Sequence, residues 1–124
     1  MTADDLKART KAFALRVMKC VVALPSGPVA SVLGKQLLRC GTSVGANYRA
    51  ACRGRSRAEF VAKLAVVIEE ADECCYWLEL VIDGELLPRP LVELLLAEAN
   101  ELTAIMVASR KTATSDRNSS DRQS

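Results

Sequence analysis

The chain of 124 residues contains no histidine, the side chain that most enzymes use for acid–base catalysis near neutral pH. This absence also excludes Ser/His and Cys/His catalytic pairs and mixed Cys/His zinc sites. Cysteine occurs five times, without CxxC spacing, at Cys20, Cys40, Cys52, Cys74 and Cys75. We therefore predict no catalytic residue, no metal site and no cofactor, and we interpret the cysteines as buried thiols in preference to disulfides.

Aromatic residues make up only 4% of the chain, and glycine and proline are also few, at 6 and 4. Hydrophobic residues make up 50%, mostly Leu, Ala and Val, which favours helices over a strand-rich sandwich. No apolar run approaches membrane-spanning length, and the N-terminus lacks the apolar core of a signal peptide. We therefore expect a single all-α domain in the cytoplasm, without a membrane partner.

Acidic residues are almost absent from the first half of the chain. Residues 1–58 carry 11 Lys or Arg and 2 acidic residues, a net charge of +9, whereas residues 59–101 carry 2 and 11, a net charge of −9. The whole chain has a net charge of only +2. This asymmetry indicates either a basic surface for polyanions or complementary faces that meet between helices or between subunits.

Apolar residues recur every three or four positions in four segments, which predicts four amphipathic helices. Their ranges are about 3–24, 28–53, 57–83 and 90–110. Ser56 and Glu59 have the spacing of a capping box that begins the third helix. Because the connection between the first two helices is short, we predict that they are antiparallel neighbours in one helical domain over residues 1–111. The polar residues 112–124 are predicted to be a disordered tail.

The segment Gln36–Phe60 combines closely spaced small residues with several arginines. Gly41 and Gly45 lie four residues apart, on one face of a helix, where a second backbone could approach closely. The alternative is a helix break near Gly41. Asn47 is predicted to be a partly buried polar residue whose hydrogen bond fixes helix register. We assign these three residues to helix packing.

The arginines make this segment the electropositive centre of the chain, since no acidic residue lies between Arg39, Arg49, Arg53, Arg55 and Arg57. A basic surface of this kind can neutralise several phosphates. The sequence GTSVGANYR does not fit a nucleotide-binding loop, because its glycine spacing is wrong and Ala46 stands where the lysine would be. We predict that these arginines contact RNA or DNA, and the alternative is that the acidic half covers them.

Two neighbouring aromatic residues, Tyr76 and Trp77, lie among the acidic residues of the third helix. Exposed aromatic side chains are typical of protein interfaces, so both are predicted to lie at a contact between subunits. The alternative for Trp77 is that it lies flat on its own helix or under a loop. Surplus apolar residues in the fourth helix, Leu94, Leu96 and Ile105, also indicate a second buried surface such as a subunit contact.

The run from Gln36 to Val81 contains GTSVGANYR, RSRAEF, EADE and YWLEL. It resembles the central segment of a bacterial four-helix bundle family that includes proteins encoded in intervening sequences of large-subunit ribosomal RNA genes. The resemblance implies an antiparallel up-and-down four-helix bundle that assembles as a ring-shaped homopentamer, without known catalytic activity. It also implies a fold similar to the accessory protein of diversity-generating retroelements, a basic pentamer that binds nucleic acid and a reverse transcriptase. The expected partners are therefore RNA or DNA, with a protein partner as the alternative.

Overall fold

Four long α-helices make up most of the computed structural model, which describes the backbone of residues 1–123 and the side chains of residues 1–115. They are α1 (Ala3–Ala23), α2 (Pro28–Cys52), α3 (Arg57–Asp83) and α4 (Glu93–Gln123), with a 3-10 turn at Arg89–Leu91. No strand occurs among the described residues. The predicted all-α class is confirmed, and the first three helices begin and end within one residue of the predicted ranges.

Side-chain caps at α1 and α3 fix where these helices begin. At α1, Thr2 Oγ1 accepts a hydrogen bond from the Asp5 N–H at 3.1 Å, and Asp5 Oδ2 accepts one from the Thr2 N–H at 2.9 Å. At α3, Ser56 Oγ accepts a hydrogen bond from the Glu59 N–H at 3.1 Å. The Glu59 carboxylate accepts from the Arg55 N–H, at 2.6 Å, instead of the Ser56 N–H. The capping pattern therefore places the start of α3 correctly, with one of its two bonds shifted by a residue.

Each helix runs antiparallel to the next, because contacts between successive helices pair rising residue numbers with falling ones. The contacts that show this are Thr10–Gly45 and Val17–Gly41 between α1 and α2, and Val61–Arg110 and Cys75–Thr103 between α3 and α4. Only residues 53–56 connect α2 to α3, so these two helices also form a tight hairpin. α1 in turn contacts α4, which closes the bundle.

All four helices contribute to one apolar core. Its largest fully buried side chains include Phe13, Val17, Leu37, Val44, Leu64, Leu78, Leu102 and Met106. Burying a side chain of this size contributes roughly 1.5–3 kcal/mol. Thr10 is a buried polar residue in this core, and its hydroxyl donates to the Leu6 carbonyl oxygen at 2.8 Å. Because the hydroxyl has this partner, its burial carries little penalty.

α2 approaches α1 most closely at two of its glycines. A Cβ atom at Gly41 would lie 2.6 Å from Val17 Cγ1, and one at Gly45 would lie 3.1 Å from Thr10 Oγ1. Neither glycine interrupts α2, so the alternative of a helix break near Gly41 is wrong. Each glycine disfavours the helix by roughly 1 kcal/mol relative to alanine. The absence of a Cβ atom at these positions is what allows α1 to pack closely against α2.

The last helix does not end near residue 110. α4 continues through residues 112–115, which were predicted to belong to the disordered tail, and Ala113 is buried. The reason is that the first turns of α3 run beside this part of α4, where Phe60 and Ala113 line the same groove. Beyond residue 115 the predicted tail lies outside the side chains that the structure describes.

Candidate nucleic-acid interface

Four of the five predicted arginines lie at the end of the bundle where α2 passes into α3. Arg49 lies in the last turn of α2, Arg53 directly follows that helix, Arg55 lies in the connecting turn, and Arg57 begins α3. All four residues are exposed. The hairpin between α2 and α3 therefore brings together cations that the sequence had already placed close to one another.

A shallow groove of about 490 Å³ lies beside this turn, between the end of α2 and the start of α3. Arg53, Arg55 and Lys63 line the groove, together with the small or apolar residues Ala50, Ala62 and Val66. Glu59 is the acidic residue of the lining, and its carboxylate already accepts the Arg55 N–H. Three cationic side chains thus share the groove with one carboxylate that is already hydrogen-bonded. The excess of positive charge favours an anionic ligand. We call the surface of Arg49, Arg53, Arg55, Arg57 and Lys63 the arginine end.

Lys63 was not among the predicted site residues, because it lies in the acidic stretch of residues 59–101. The antiparallel hairpin brings it back beside Arg53 and Arg55. The capping pattern at Ser56 could have identified it. That pattern fixes the first turn of α3, and therefore fixes which α3 residues lie next to the last turn of α2.

Arg39 lies apart from the arginine end, about 15 Å before Arg49 along α2. Its guanidinium is bound to α3, with Nη1 3.1 Å from Glu70 Oε2 and Nη2 2.6 Å from Glu73 Oε1. The hydrogen bond from Arg39 lowers the pKa of Glu73 below its usual value. The charge of Arg39 is therefore matched within the bundle, away from the arginine end.

A second arginine joins α1 to α4 in the same manner. Arg9 Nε donates to Glu98 Oε2 at 2.9 Å, and Arg9 Nη2 lies 2.7 Å from Glu98 Oε1 and 3.1 Å from Glu101 Oε1. The hydrogen bonds with Glu98 raise the pKa of Arg9 and lower the pKa of Glu98. Some of the positive charge in the first half of the sequence is therefore paired with acidic residues of the second half, between helices of one subunit.

The two aromatic residues predicted at a subunit contact have different environments. Tyr76 is 54% exposed on the acidic outer side of α3. Trp77 is half-buried, and its Nε1–H donates to Glu73 Oε1 at 3.2 Å. The two rings meet edge to face, with centroids 5.2 Å apart. Trp77 therefore packs beside the Arg39–Glu73 ion pair, while Tyr76 faces outward.

Asn47 is half-buried, as expected from its position beside Tyr48. Its Nδ2–H donates to the Ser43 carbonyl oxygen, one turn earlier in α2, at 2.9 Å. The hydrogen-bond partner thus lies within the same helix. This bond satisfies the polar side chain without linking α2 to a neighbouring helix.

Exposed apolar side chains form a stripe on α1 and a group at the start of α4. Leu15, Met18 and Val22 share one outer face of α1, and Val22 is 85% exposed. Leu91 and Leu94 are 67% and 70% exposed. Leu94, Leu96 and Ile105 were predicted to be surplus to the core. Leu94 is exposed, whereas Leu96 and Ile105 are half-buried against the core. The α1 stripe was missed because the periodic pattern of α1 is already satisfied by its core face.

The described residues also bear on the predictions about metal sites, membrane spans and cysteines. Among residues 1–115, no three or more His, Cys, Asp or Glu side chains are grouped so that they could hold a metal ion. None of the helices in the described part of the chain combines the length and the apolar character needed to cross a membrane. Cysteine burial agrees with a packing role, since Cys52 is half-buried and the others are buried.

Comparison with known proteins identifies the family. The family described as 23S rRNA-intervening sequence protein matches residues 4–108 of the chain. The chain belongs to this family. A crystal structure of a protein of unknown function from the S23 ribosomal protein family of Bacteroides thetaiotaomicron is 35% identical, with a TM-score of 0.82 over 90% of this chain and 99% of that one. No curated protein matches the chain.

Membership of the 23S rRNA-intervening sequence protein family confirms the resemblance carried by Gln36–Val81. The matched residues extend from the start of α1 into α4, so they include the arginine end and both interhelical arginine pairs. The descriptions of the family and of the similar crystal structure name no enzymatic activity.

Proposed function

We propose that the protein is a non-enzymatic, oligomeric helical bundle that binds nucleic acid, RNA in the first instance, through its arginine end. The groove beside the α2–α3 turn carries this proposal, because Arg53, Arg55 and Lys63 line it around one engaged carboxylate. Guanidinium groups match the geometry of phosphate oxygens and can bind them in a bidentate fashion. The adjacent N-terminus of α3 adds the positive end of a helix dipole.

The lining of the groove also indicates which form of nucleic acid would bind. Alanine and valine side chains lie between its cations, so bases have no aromatic ring to stack on in this groove. Contacts to phosphates would instead depend on the backbone shape of a helical segment. We therefore expect structured RNA to bind more tightly than an unstructured single strand of the same length.

Photo-crosslinking of a structured ribosomal RNA fragment, followed by peptide mapping, tests where the RNA lies. The proposal predicts crosslinked peptides from residues 49–63. Peptides around Arg89, which is exposed at the opposite end of the bundle, provide the internal control. Crosslinks confined to the outer face of α1, or no crosslink at low salt, would contradict the proposed site.

The proposed assembly is the ring-shaped homopentamer that the family resemblance implies. Two surfaces of the subunit support a contact between successive copies. The outer side of α1 carries Leu15, Met18 and Val22 with Lys11 and Lys19 nearby, whereas exposed Tyr76 lies among acidic residues of α3. Surfaces that match in charge and share apolar groups can form a head-to-tail contact, and such contacts close into rings.

A ring would place every arginine end on the same side of the assembly. Several weak phosphate contacts would then act together, which raises the overall affinity without any new contact. Native mass spectrometry at low salt tests the stoichiometry. A complex of five subunits is expected, and a monomer at every concentration would contradict the proposed assembly.

The alternative function is a protein-interaction scaffold or an accessory subunit, for example of a reverse transcriptase, that does not itself bind nucleic acid. Exposed Leu91 and Leu94, at the end opposite the arginines, favour a protein contact there. Under this alternative, Leu94→Ser would abolish partner binding and substitutions at the arginine end would have no effect. Both functions require no cofactor and fit the cytoplasmic location predicted from the sequence.

A further inference from the structure

Two cysteines from neighbouring helices touch in the core. Cys40 of α2 and Cys74 of α3 are both 0% exposed, and their Sγ atoms lie 3.1 Å apart. They are 34 positions apart in the sequence, so the contact exists only while α2 and α3 are packed together. Cys75, although adjacent in sequence, points elsewhere, since its Sγ lies 4.0 Å from Thr103 Oγ1 of α4.

We propose that Cys40 and Cys74 are a reversible oxidation site, at which hydrogen peroxide converts the two thiols to a disulfide that joins α2 to α3. One thiolate attacks a peroxide oxygen, so that an S–O bond forms, the O–O bond breaks, and the departing hydroxide leaves as water with the thiol proton. The second thiol then attacks the sulfenic acid sulfur, an S–S bond forms, and a second water leaves. Two sulfur atoms are oxidised and two peroxide oxygens are reduced.

Burial controls when this reaction can occur. The hydrogen bond to Cys40, together with burial, raises the pKa of the Cys74 thiol, and the thiolate is the reactive form. The packed pair therefore reacts slowly. The first thiol is oxidised when α2 and α3 separate locally, and the S–S bond forms when the two helices pack together again. Arg39 and Glu73 are the sequence neighbours of the two cysteines, so their ion pair spans the same turns of α2 and α3. Loss of that ion pair should favour the opening.

The disulfide would stabilise the hairpin that carries the arginine end. The loop that it closes runs from Cys40 to Cys74 and contains every residue of the arginine end. A crosslink across such a loop restricts the unfolded chain, and the melting temperature should rise on the order of 10 °C. The arginine side chains themselves are not involved, so RNA affinity below the melting temperature should not change.

Peptide mapping of the full-length protein after hydrogen peroxide treatment, under non-reducing conditions, tests the proposal. We expect a Cys40–Cys74 linked peptide that has lost two hydrogen atoms, that forms more slowly than oxidised Cys52, and that dithiothreitol reverses. Cys75→Ala is the matched control and should still give this link, whereas Cys40→Ala should not. The wild-type map is decisive even if a variant folds poorly.

Three results would overturn the proposal. The first is a link that joins Cys40 to Cys75 or to Cys52. The second is separate oxidation of Cys40 and Cys74 to sulfinic acids. The third is that both thiols stay reduced after Cys52 is fully oxidised in mild urea, which promotes local opening of α2 from α3.

Discussion

Arg39 Nη2 lies 2.6 Å from Glu73 Oε1 and joins the basic helix α2 to the acidic helix α3. Arg9 makes the corresponding connection from α1 to Glu98 of α4, at 2.7 Å. Basic and acidic halves of the sequence therefore meet across helices within a single subunit. The arginine end lies beyond these pairs, in the turn between α2 and α3, where its residues remain exposed.

Acid pH should destabilise the bundle through these two carboxylates. Hydrogen bonds from Arg39 and Arg9 hold the folded-state pKa values of Glu73 and Glu98 below the ordinary value of 4.5. A carboxylate with a lowered folded pKa contributes stability above its unfolded pKa and loses it as pH falls through the folded pKa. Urea unfolding should therefore show a steep loss of stability from about pH 5 downward.

The substitution Glu98→Gln distinguishes the contribution of the Arg9–Glu98 pair to acid destabilisation from the contributions of the other titrating groups. The Glu98 side chain is only 16% exposed, so removing its charge should lower the free energy of unfolding by about 1–2 kcal/mol at pH 7 and reduce the acid dependence. Asp83→Asn is the control, because the Asp83–Arg89 pair is exposed and 3.9 Å apart, and it should cause no measurable change. Equal acid dependence in wild type and Glu98→Gln would exclude this pair as a cause.

Two glycine-to-alanine substitutions should have opposite effects. In Gly41→Ala the new Cβ would lie 2.6 Å from the stiff side chain of Val17, which forces α1 and α2 apart and should cost about 1–3 kcal/mol. In Gly34→Ala the nearest atom is Leu24 Cδ1 at 3.2 Å, the far end of a flexible side chain. Gly34→Ala should be neutral, or stabilising by up to about 1 kcal/mol. Urea unfolding measures both, and a similar cost at the two positions would show that close packing at Gly41 is unimportant.

Substitutions of Tyr76 and Trp77 should have separate effects, one on assembly and the other on the stability of the subunit. Tyr76→Ser removes an exposed ring and should weaken self-association in sedimentation velocity while the helix content stays constant. Trp77→Phe removes the Nε1–H that donates to Glu73, and it should lower stability by about 1 kcal/mol and leave the assembly intact. Dissociation caused by Trp77→Phe but not by Tyr76→Ser would place the subunit contact elsewhere on α3.

The helices could be predicted from the sequence because their core residues recur every three or four positions. This pattern can be recognised without knowing which helices pack against one another. The end of α4 could not be predicted in this way. Thr112 and Thr114 look like the start of a polar tail, and Ala113 is buried only because the first turns of α3 lie beside it. Tertiary packing, and not local preference, extends this helix.

The candidate site could be predicted only where its residues are close in sequence. Arg53 and Arg55 flank one turn, so a charge pattern is enough to group them. The pairing of Arg39 with Glu73 depends on which face α2 turns toward α3, so sequence spacing alone does not predict it. The position of Lys63 beside Arg53 and Arg55 likewise depends on the hairpin. Contacts across helices therefore decide which cations remain available.

Fluorescence anisotropy of a labelled structured RNA across a salt series tests whether the arginine end binds RNA. The samples are wild type, the triple variant Arg53→Ala/Arg55→Ala/Lys63→Ala, and the control Arg89→Ala from the opposite end of the bundle. We expect wild type to bind at low salt and the triple variant to bind more weakly. The slope of log affinity against log salt should also fall by about 0.9 for each phosphate that the variant no longer neutralises, while Arg89→Ala matches wild type. A triple variant with wild-type affinity and salt slope would show that the arginine end does not bind the RNA.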